Sequence, residues 1–160
     1  MVILCDTREQ SNRHITDYFT AKGIAWEVKK LNTGDYSAYL PPLPDLFEHP
    51  AYFDRDVAIE RKANLDELAS NFTKDRERIK DEFTRAKNMK FFLLVEDANL
   101  EDILSGHYRS NFKPESFIAS LISMEHEYNF NVKFTKKQQS GRFIHMMLYY
   151  YLRLYLLGKI

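Results

Sequence analysis

Short apolar or alternating runs trade places with amphipathic stretches along the whole chain, and no other feature limits the fold as tightly. "VILC" (2–5) reads as a strand, after which Ser11 or Asn12 can cap a helix running to about Lys22, where Gly23 supplies the stop. "IAWEVKKL" (24–31) alternates like a half-buried strand, and Gly34 opens a turn toward "YSAYL" (36–40), which predicts two antiparallel strands. "PPLPDLFEHP" (41–50) holds four prolines, which remove donors and fix φ, so it is expected to be an irregular loop. "VAIERK" (57–62) is the next strand, and residues 65–89 carry a helical pattern with a break near 71–73. "FFLLVE" (91–96) has the uniform apolar character of a strand in a buried parallel sheet. Pro114 begins a helix over 114–128, "FNVKF" (130–134) is a strand, and Gly141 precedes a last helix to about Leu157. Strands alternate with helices throughout, and there is no internal repeat or low-complexity tract. The 160 residues are therefore expected to form one α/β domain with a real hydrophobic core.

Composition narrows the function classes less than the pattern does. The chain is 44% hydrophobic and 29% charged, as in soluble globular proteins. Its single cysteine, Cys5, forbids an internal disulfide and suits a reducing compartment as a small buried hydrophobe. "MVILCDTRE" lacks the basic start and long apolar core of a signal peptide, so a cytoplasmic or nucleoid-associated protein is expected. The most apolar segment, "FIHMMLYYYLRLYLL" (143–157), is shorter than the ~20 residues of a membrane helix and is interrupted by His145 and Arg153, so no membrane association is expected. Formal net charge is zero, which argues against general polyanion binding while leaving room for a local basic patch.

The charged end of an otherwise apolar strand, "DVAIERKANLDELAS" (56–70), carries the chemistry. On a strand, side chains two apart share a face, so Glu60 and Lys62 point together and Arg61 points the other way. A second carboxylate, Asp35, sits after the turn glycine Gly34, in an element expected to neighbour the Glu60 strand. Taken singly, these are turn chemistry and a strand-end ion pair. Two converging carboxylates repel unless a cation lies between them, and oxygen donors of this kind suit Mg²⁺ or Mn²⁺. With a lysine beside it, such a site can bind a phosphate oxygen, lower the pKa of a bound water and hold charge developing at phosphorus. No organic cofactor is implied, and the five histidines lack zinc-site spacing.

These blocks resemble a known family. Aspartate, a spacer and Glu-x-Lys at a strand end is the signature of the restriction-endonuclease-like fold. The longer "GDY...IERKANLD" resembles the XPF-type (ERCC4-domain) structure-specific endonucleases. "LCDTREQ" (4–10) is similar to the family's first motif, and "RIKDEFTRAK" (78–87) and "FFLLVE" fall where its arginine-bearing helix and next strand occur. The resemblance implies a central mixed sheet flanked by helices. It also implies Asp35 and Glu60 as metal ligands, Lys62 as the residue that positions or activates the attacking water, and Asp66 as a supporting carboxylate. Asp6, Arg8 and Glu9 match the first motif, whose aspartate and arginine border the same site, and Arg8 could clamp a phosphate bidentately. Arg61 matches too and is read as structural or as pairing with a neighbouring element. Arg78 matches an arginine near bound DNA, while the position four residues on, commonly glutamine in the family, is Glu82 here.

Each assignment has a plainer counterpart. Arg8 and Glu9 can cap the next helix or pair with each other, and Asp66 lies in a helix's first turn, where the dipole favours an aspartate anyway. Residues 73–90 carry seven Lys or Arg against four Asp or Glu, which a solvated helix face explains as well as DNA does. If DNA lies there, Lys74, Arg76, Arg78, Lys80 and Arg85 are the candidate phosphate contacts, and affinity should fall with salt. The last helix is apolar around most of its circumference, and because the family's nuclease domains pair through such a surface a homodimer is expected. Family members usually add helix-hairpin-helix motifs after the nuclease domain, and here the sequence stops at Ile160, so a stand-alone nuclease domain is expected. The reading is a divalent-metal-dependent DNA endonuclease acting on branched or flapped DNA. Its rival is a catalytically silent DNA-binding or dimer-scaffold protein of the same fold.

Overall fold

The computed structural model describes all residues 1–160. In chain order the elements are β1 (Val2–Cys5), α1 (Arg13–Ala21), β2 (Trp26–Val28), β3 (Tyr36–Leu40), β4 (Ala51–Tyr52), β5 (Val57–Lys62) and α2 (Leu65–Thr73). They continue with α3 (Arg76–Ala86), β6 (Lys90–Glu96), α4 (Leu100–Leu104), α5 (Pro114–Tyr128), β7 (Phe130–Thr135), a 3-10 turn (Lys137–Gln139) and α6 (Ser140–Leu156). The seven strands form a mixed sheet flanked by helices, in the order β2-β1-β3-β5-β6-β7 with β4 on β3. The α/β class and the central mixed sheet flanked by helices are as expected. The chain divides into two compact units, Met1–Ile59 with Gln138–Ile160, and Glu60–Lys137, so the division falls within β5.

In the first unit β1 pairs parallel with β2 and antiparallel with β3, and β3 pairs antiparallel with β5 through Tyr36 and Ile59. The expected hairpin between the 24–31 and 36–40 segments is therefore corrected: β1 lies between them. The cause is local. The Leu31 amide donates to the Asp6 carboxylate at 2.6 Å, drawing the chain across the end of β1 before the Gly34 turn sends β3 back along its other edge. Ile15 and Phe19, one turn apart on α1, are fully buried, as are Ile144 and Leu148 on α6, with Leu152 nearly so. The two helices meet where Gly141 faces Tyr18, whose ring would lie 2.8 Å from any added Cβ. Gly141 thus lies inside the last helix and does not precede it.

In the second unit β6 and β7 pair in parallel from Phe91↔Phe130 to Glu96↔Thr135. Phe83 of α3 packs on Phe91, Tyr128 and Phe130, with ring centroids 4.2–6.1 Å apart. The helical break falls at Lys74–Asp75, slightly later than expected, and the Arg76 guanidinium caps the first segment by donating to the Phe72 carbonyl at 3.1 Å. Residues 41–50 form turns with one isolated bridge between Leu43 and Phe47. No helix is long and apolar enough to cross a membrane.

Candidate active site

In the first unit the candidate residues lie at the end of β1 and the start of β3. The Asp6 side chain is fully buried. Its Oδ1 accepts from the Arg8 amide (2.8 Å) and Nε (2.6 Å), and its Oδ2 from the Leu31 amide. Burial pushes this carboxyl up, but the bonds from the Arg8 side chain, the Leu31 amide and the Arg8 amide together outweigh it and hold the group below its ordinary range. Arg8 also donates from Nη2 to the Leu31 carbonyl at 3.1 Å, while 61% of its side chain stays exposed. Asp6 and Arg8 therefore hold a turn closed, and the Glu9 amide completes it by donating to the Asp6 carbonyl at 3.1 Å.

Asp35 is positioned through its backbone from both sides. Its amide donates to the Ile59 carbonyl at 2.8 Å, and its carbonyl accepts from the Asp6 amide at 2.7 Å. The preceding Gly34 has φ +73°, and a Cβ there would meet the Ala58 Cβ at 3.0 Å and the Ile59 carbonyl oxygen at 3.1 Å. Only glycine satisfies both demands, so the glycine of the "GD" pair lets β3 start close against β5. Ile59 is followed directly by Glu60.

In the second unit the candidate residues lie at the end of β5 and on α2. Lys62 Nζ lies 2.6 Å from Glu60 Oε1, as the strand's two-residue period requires, and 3.8 Å from Glu67 Oε1. The Lys62 and Glu60 side chains are only 5% and 13% exposed. Burial pushes the Glu60 carboxyl above its ordinary value, with Lys62 opposing and Glu82 and Glu67 adding to the rise. Arg61 faces away and donates from Nη1 to Glu96 Oε2 at 2.9 Å, a pair with both side chains buried at the ends of β5 and β6. The outward turn of Arg61 is what strand alternation predicted.

Glu67 escaped the sequence reading. It serves α2 twice: its amide donates to the Asn64 side chain at 2.9 Å, and its Oε2 accepts from the Ala63 amide at 2.8 Å. The signal was present as an Asn-x-x-Glu spacing at a helix start. Asp66, in the same first turn, directs its Oδ1 to the amides of Arg109 (2.6 Å) and Ser110 (3.2 Å), so it anchors the loop after α4.

The basic helix resolves into different situations. Arg76 caps α2, Lys80 lies 3.8 Å from Glu77, and Arg85 lies 2.5 Å from Glu82. Lys74 and Arg78 are exposed. No three His, Cys, Asp or Glu side chains form a ready-made metal cage. The available donors are nonetheless hard: carboxylates, with the lone thiol of Cys5 buried and pushed up to about 12 by that burial and by Glu9. That chemistry fits Mg²⁺ or Mn²⁺ and disfavours thiophilic metals.

The sequence model of the ERCC4 domain matches residues 5–147. Among solved structures, XPF from Aeropyrum pernix superposes with a TM-score of 0.64 at 18% identity, covering 92% of this chain and 60% of that one. XPF from Aeropyrum pernix in complex with DNA superposes with a TM-score of 0.66 at 18% identity, covering 95% of this chain and 65% of that one. The chain thus spans 60–65% of the length of these structures, and at this identity the likeness shows a shared fold. No curated protein matches the sequence.

Proposed function

The chain belongs to the ERCC4 domain family, and from that premise we propose that it is a divalent-metal-dependent DNA endonuclease acting on branched or flapped DNA. The observation that carries the reading is the buried Glu60–Lys62 pair at the end of β5, 2.6 Å apart. Asp35 and Glu60 would hold the cation. When bound, Mg²⁺ or Mn²⁺ supplies Lewis acidity that makes water a nucleophile near neutral pH and stabilises the departing 3′ oxygen. Lys62 orients the attacking water and offers positive charge to a nonbridging phosphate oxygen, and Glu67 holds the lysine from its other side. Arg61, by pairing with Glu96, keeps the strand end in one position and touches no substrate. Asp66 supports the site through the loop it anchors, and Asp6 with Arg8 fixes the turn beside Asp35. Arg78 and Lys74 are the foremost phosphate contacts, since the other three cations of the basic helix have intramolecular partners.

The same family premise supports a homodimer through α6, where Met146, Tyr149, Tyr150 and Leu154 remain 36–51% exposed. The deciding experiment is cleavage of end-labelled fork, flap, junction and linear duplex DNA with Mg²⁺, Mn²⁺ or EDTA, beside the Asp35→Asn and Lys62→Ala proteins. Metal-dependent cutting lost in both variants supports the nuclease. Binding of every substrate with no cutting under any metal would instead assign the silent scaffold.

A further inference from the structure

Within the second unit, a cavity of about 720 Å³ opens between α2 and the loop that joins α4 to α5. That volume lies in the range of roughly 300–1,000 Å³ typical of ligand sites. Two cations line it, Lys74 from the end of α2 and Arg109 from the loop, together with Ser70, Asn111 and Phe112. The one carboxylate on its wall, Asp66, engages its Oδ1 with two backbone amides of the loop, and its single negative charge is outnumbered by the two cations.

The loop is built rather than loose. Besides the Asp66 anchor, the Phe112 amide donates to Ser110 Oγ at 3.1 Å and the Tyr108 hydroxyl to the Phe112 carbonyl at 2.7 Å. The rings of Tyr108 and Phe112 pack on Phe117, fully buried in α5, with centroids 5.3 and 5.2 Å away. The loop's hydrogen bonds to Asp66 use backbone amides, so the Arg109 side chain is not needed to hold it. Exposed cations beside an apolar ring and small polar side chains form the combination that takes a phosphodiester with its sugar and base.

We propose that this cavity binds an unpaired nucleotide of single-stranded DNA, its phosphate between Lys74 and Arg109 and its sugar or base against Phe112. The proposal deepens the DNA-acting reading above by assigning a second subsite, on α2 and the 109–112 loop, for a strand that is not cut. Neither Arg109 nor Phe112 belongs to the cleavage motif.

The test is fluorescence anisotropy of labelled oligothymidylate on the full chain and on Arg109→Ala, Arg109→Glu and Arg109→Lys proteins, each checked for an unchanged melting temperature. Wild type should bind, with Arg109→Ala weakened about tenfold, Arg109→Glu weakened further, and Arg109→Lys close to wild type. The slope of log affinity against log salt should flatten by about 0.7 in Arg109→Ala, the share of one phosphate contact on a single strand. Oligothymidylate that fails to bind wild type, or that binds all four proteins alike, overturns the proposal. Cleavage of duplex substrates is scored separately. Oligothymidylate binding that depends on Arg109 in a protein that cuts nothing would retire the nuclease reading and keep the subsite, and the reverse result would do the opposite.

Discussion

Lys62 Nζ stands 2.6 Å from the carboxylate of Glu60 and 3.8 Å from that of Glu67, and it is nearly excluded from solvent. Removing it strands a buried carboxylate. Lys62→Ala should therefore cost stability approaching the roughly 3–5 kcal/mol of a broken buried pair. The cost should depend on pH in a definite direction. Without the lysine, the Glu60 carboxyl is raised further by burial, so its contribution is intact below the ordinary carboxylate range and is lost as pH rises through the raised value. Urea midpoints should show a small deficit near pH 4 and a larger one near pH 8 (about four and about eight on the scale of these groups). A deficit independent of pH would show that the pair is not what the lysine stabilises.

Asp35→Asn keeps both backbone hydrogen bonds that place the residue, because neither uses the side chain. The variant should melt close to wild type and lose metal-dependent cleavage by about a hundredfold or more, beyond the scale on which even supporting partners of metal sites act. Isothermal titration with Mn²⁺ checks the cause, and undiminished Mn²⁺ affinity would remove Asp35 from the ligand set.

The Asp6 carboxyl is displaced from its ordinary value in the opposite direction to that of Glu60. Its folded-state value is lowered, so the stability it contributes is complete above the ordinary carboxylate range and disappears as pH falls through the lowered value. Asp6→Asn should be less stable than wild type at neutral pH, and the two unfolding curves should converge in acid. Curves that stay parallel down to about pH 2.5 would contradict the bonding described for this residue.

The Arg61–Glu96 pair separates structure from chemistry. Arg61→Ala takes the guanidinium away from the buried Glu96 and should destabilise by roughly 3–5 kcal/mol, whereas Arg61→Met combined with Glu96→Leu should cost less. If Arg61 only positions the strand end, the double variant retains cleavage. A stable but inactive double variant would place Arg61 in contact with substrate.

Gly34 and Gly23 share a left-handed backbone but differ in surroundings. Nothing lies within 4 Å of a Cβ at Gly23, while Gly34 faces backbone and Ala58 at 3.0–3.1 Å. Gly23→Ala should cost about 1 kcal/mol from conformation alone. Gly34→Ala should cost more, because β3 must shift from β5, and should lower cleavage as well. Equal melting temperatures for the two variants would mean that the close approach yields without cost.

Most of this architecture was legible because periodicity reports which faces are buried, and the buried faces of α1, α6 and β6 lie where their apolar spacing put them. What escaped was pairing. The strand at 26–28 reads as half of a hairpin until one knows that the Asp6 carboxylate captures the Leu31 amide, a contact 25 residues apart that no local pattern encodes. The short elements α4 and β4 are set by their neighbours and carry too few residues for a period to show. Within the site, Glu60, Lys62 and the outward turn of Arg61 followed from strand geometry, whereas Glu96 as the partner of Arg61 and the loop held by Asp66 required the tertiary structure.

The missing side chain at Gly141 acts as a keyway. With the Tyr18 ring filling the space a Cβ would need, α6 takes its setting against α1 with no side chain at 141 between them. That setting decides which of its many apolar residues face outward. A methyl group added at 141 would rotate or lift the helix and present a different stripe to solvent, so a substitution hidden between two helices would be felt first at a surface it never touches.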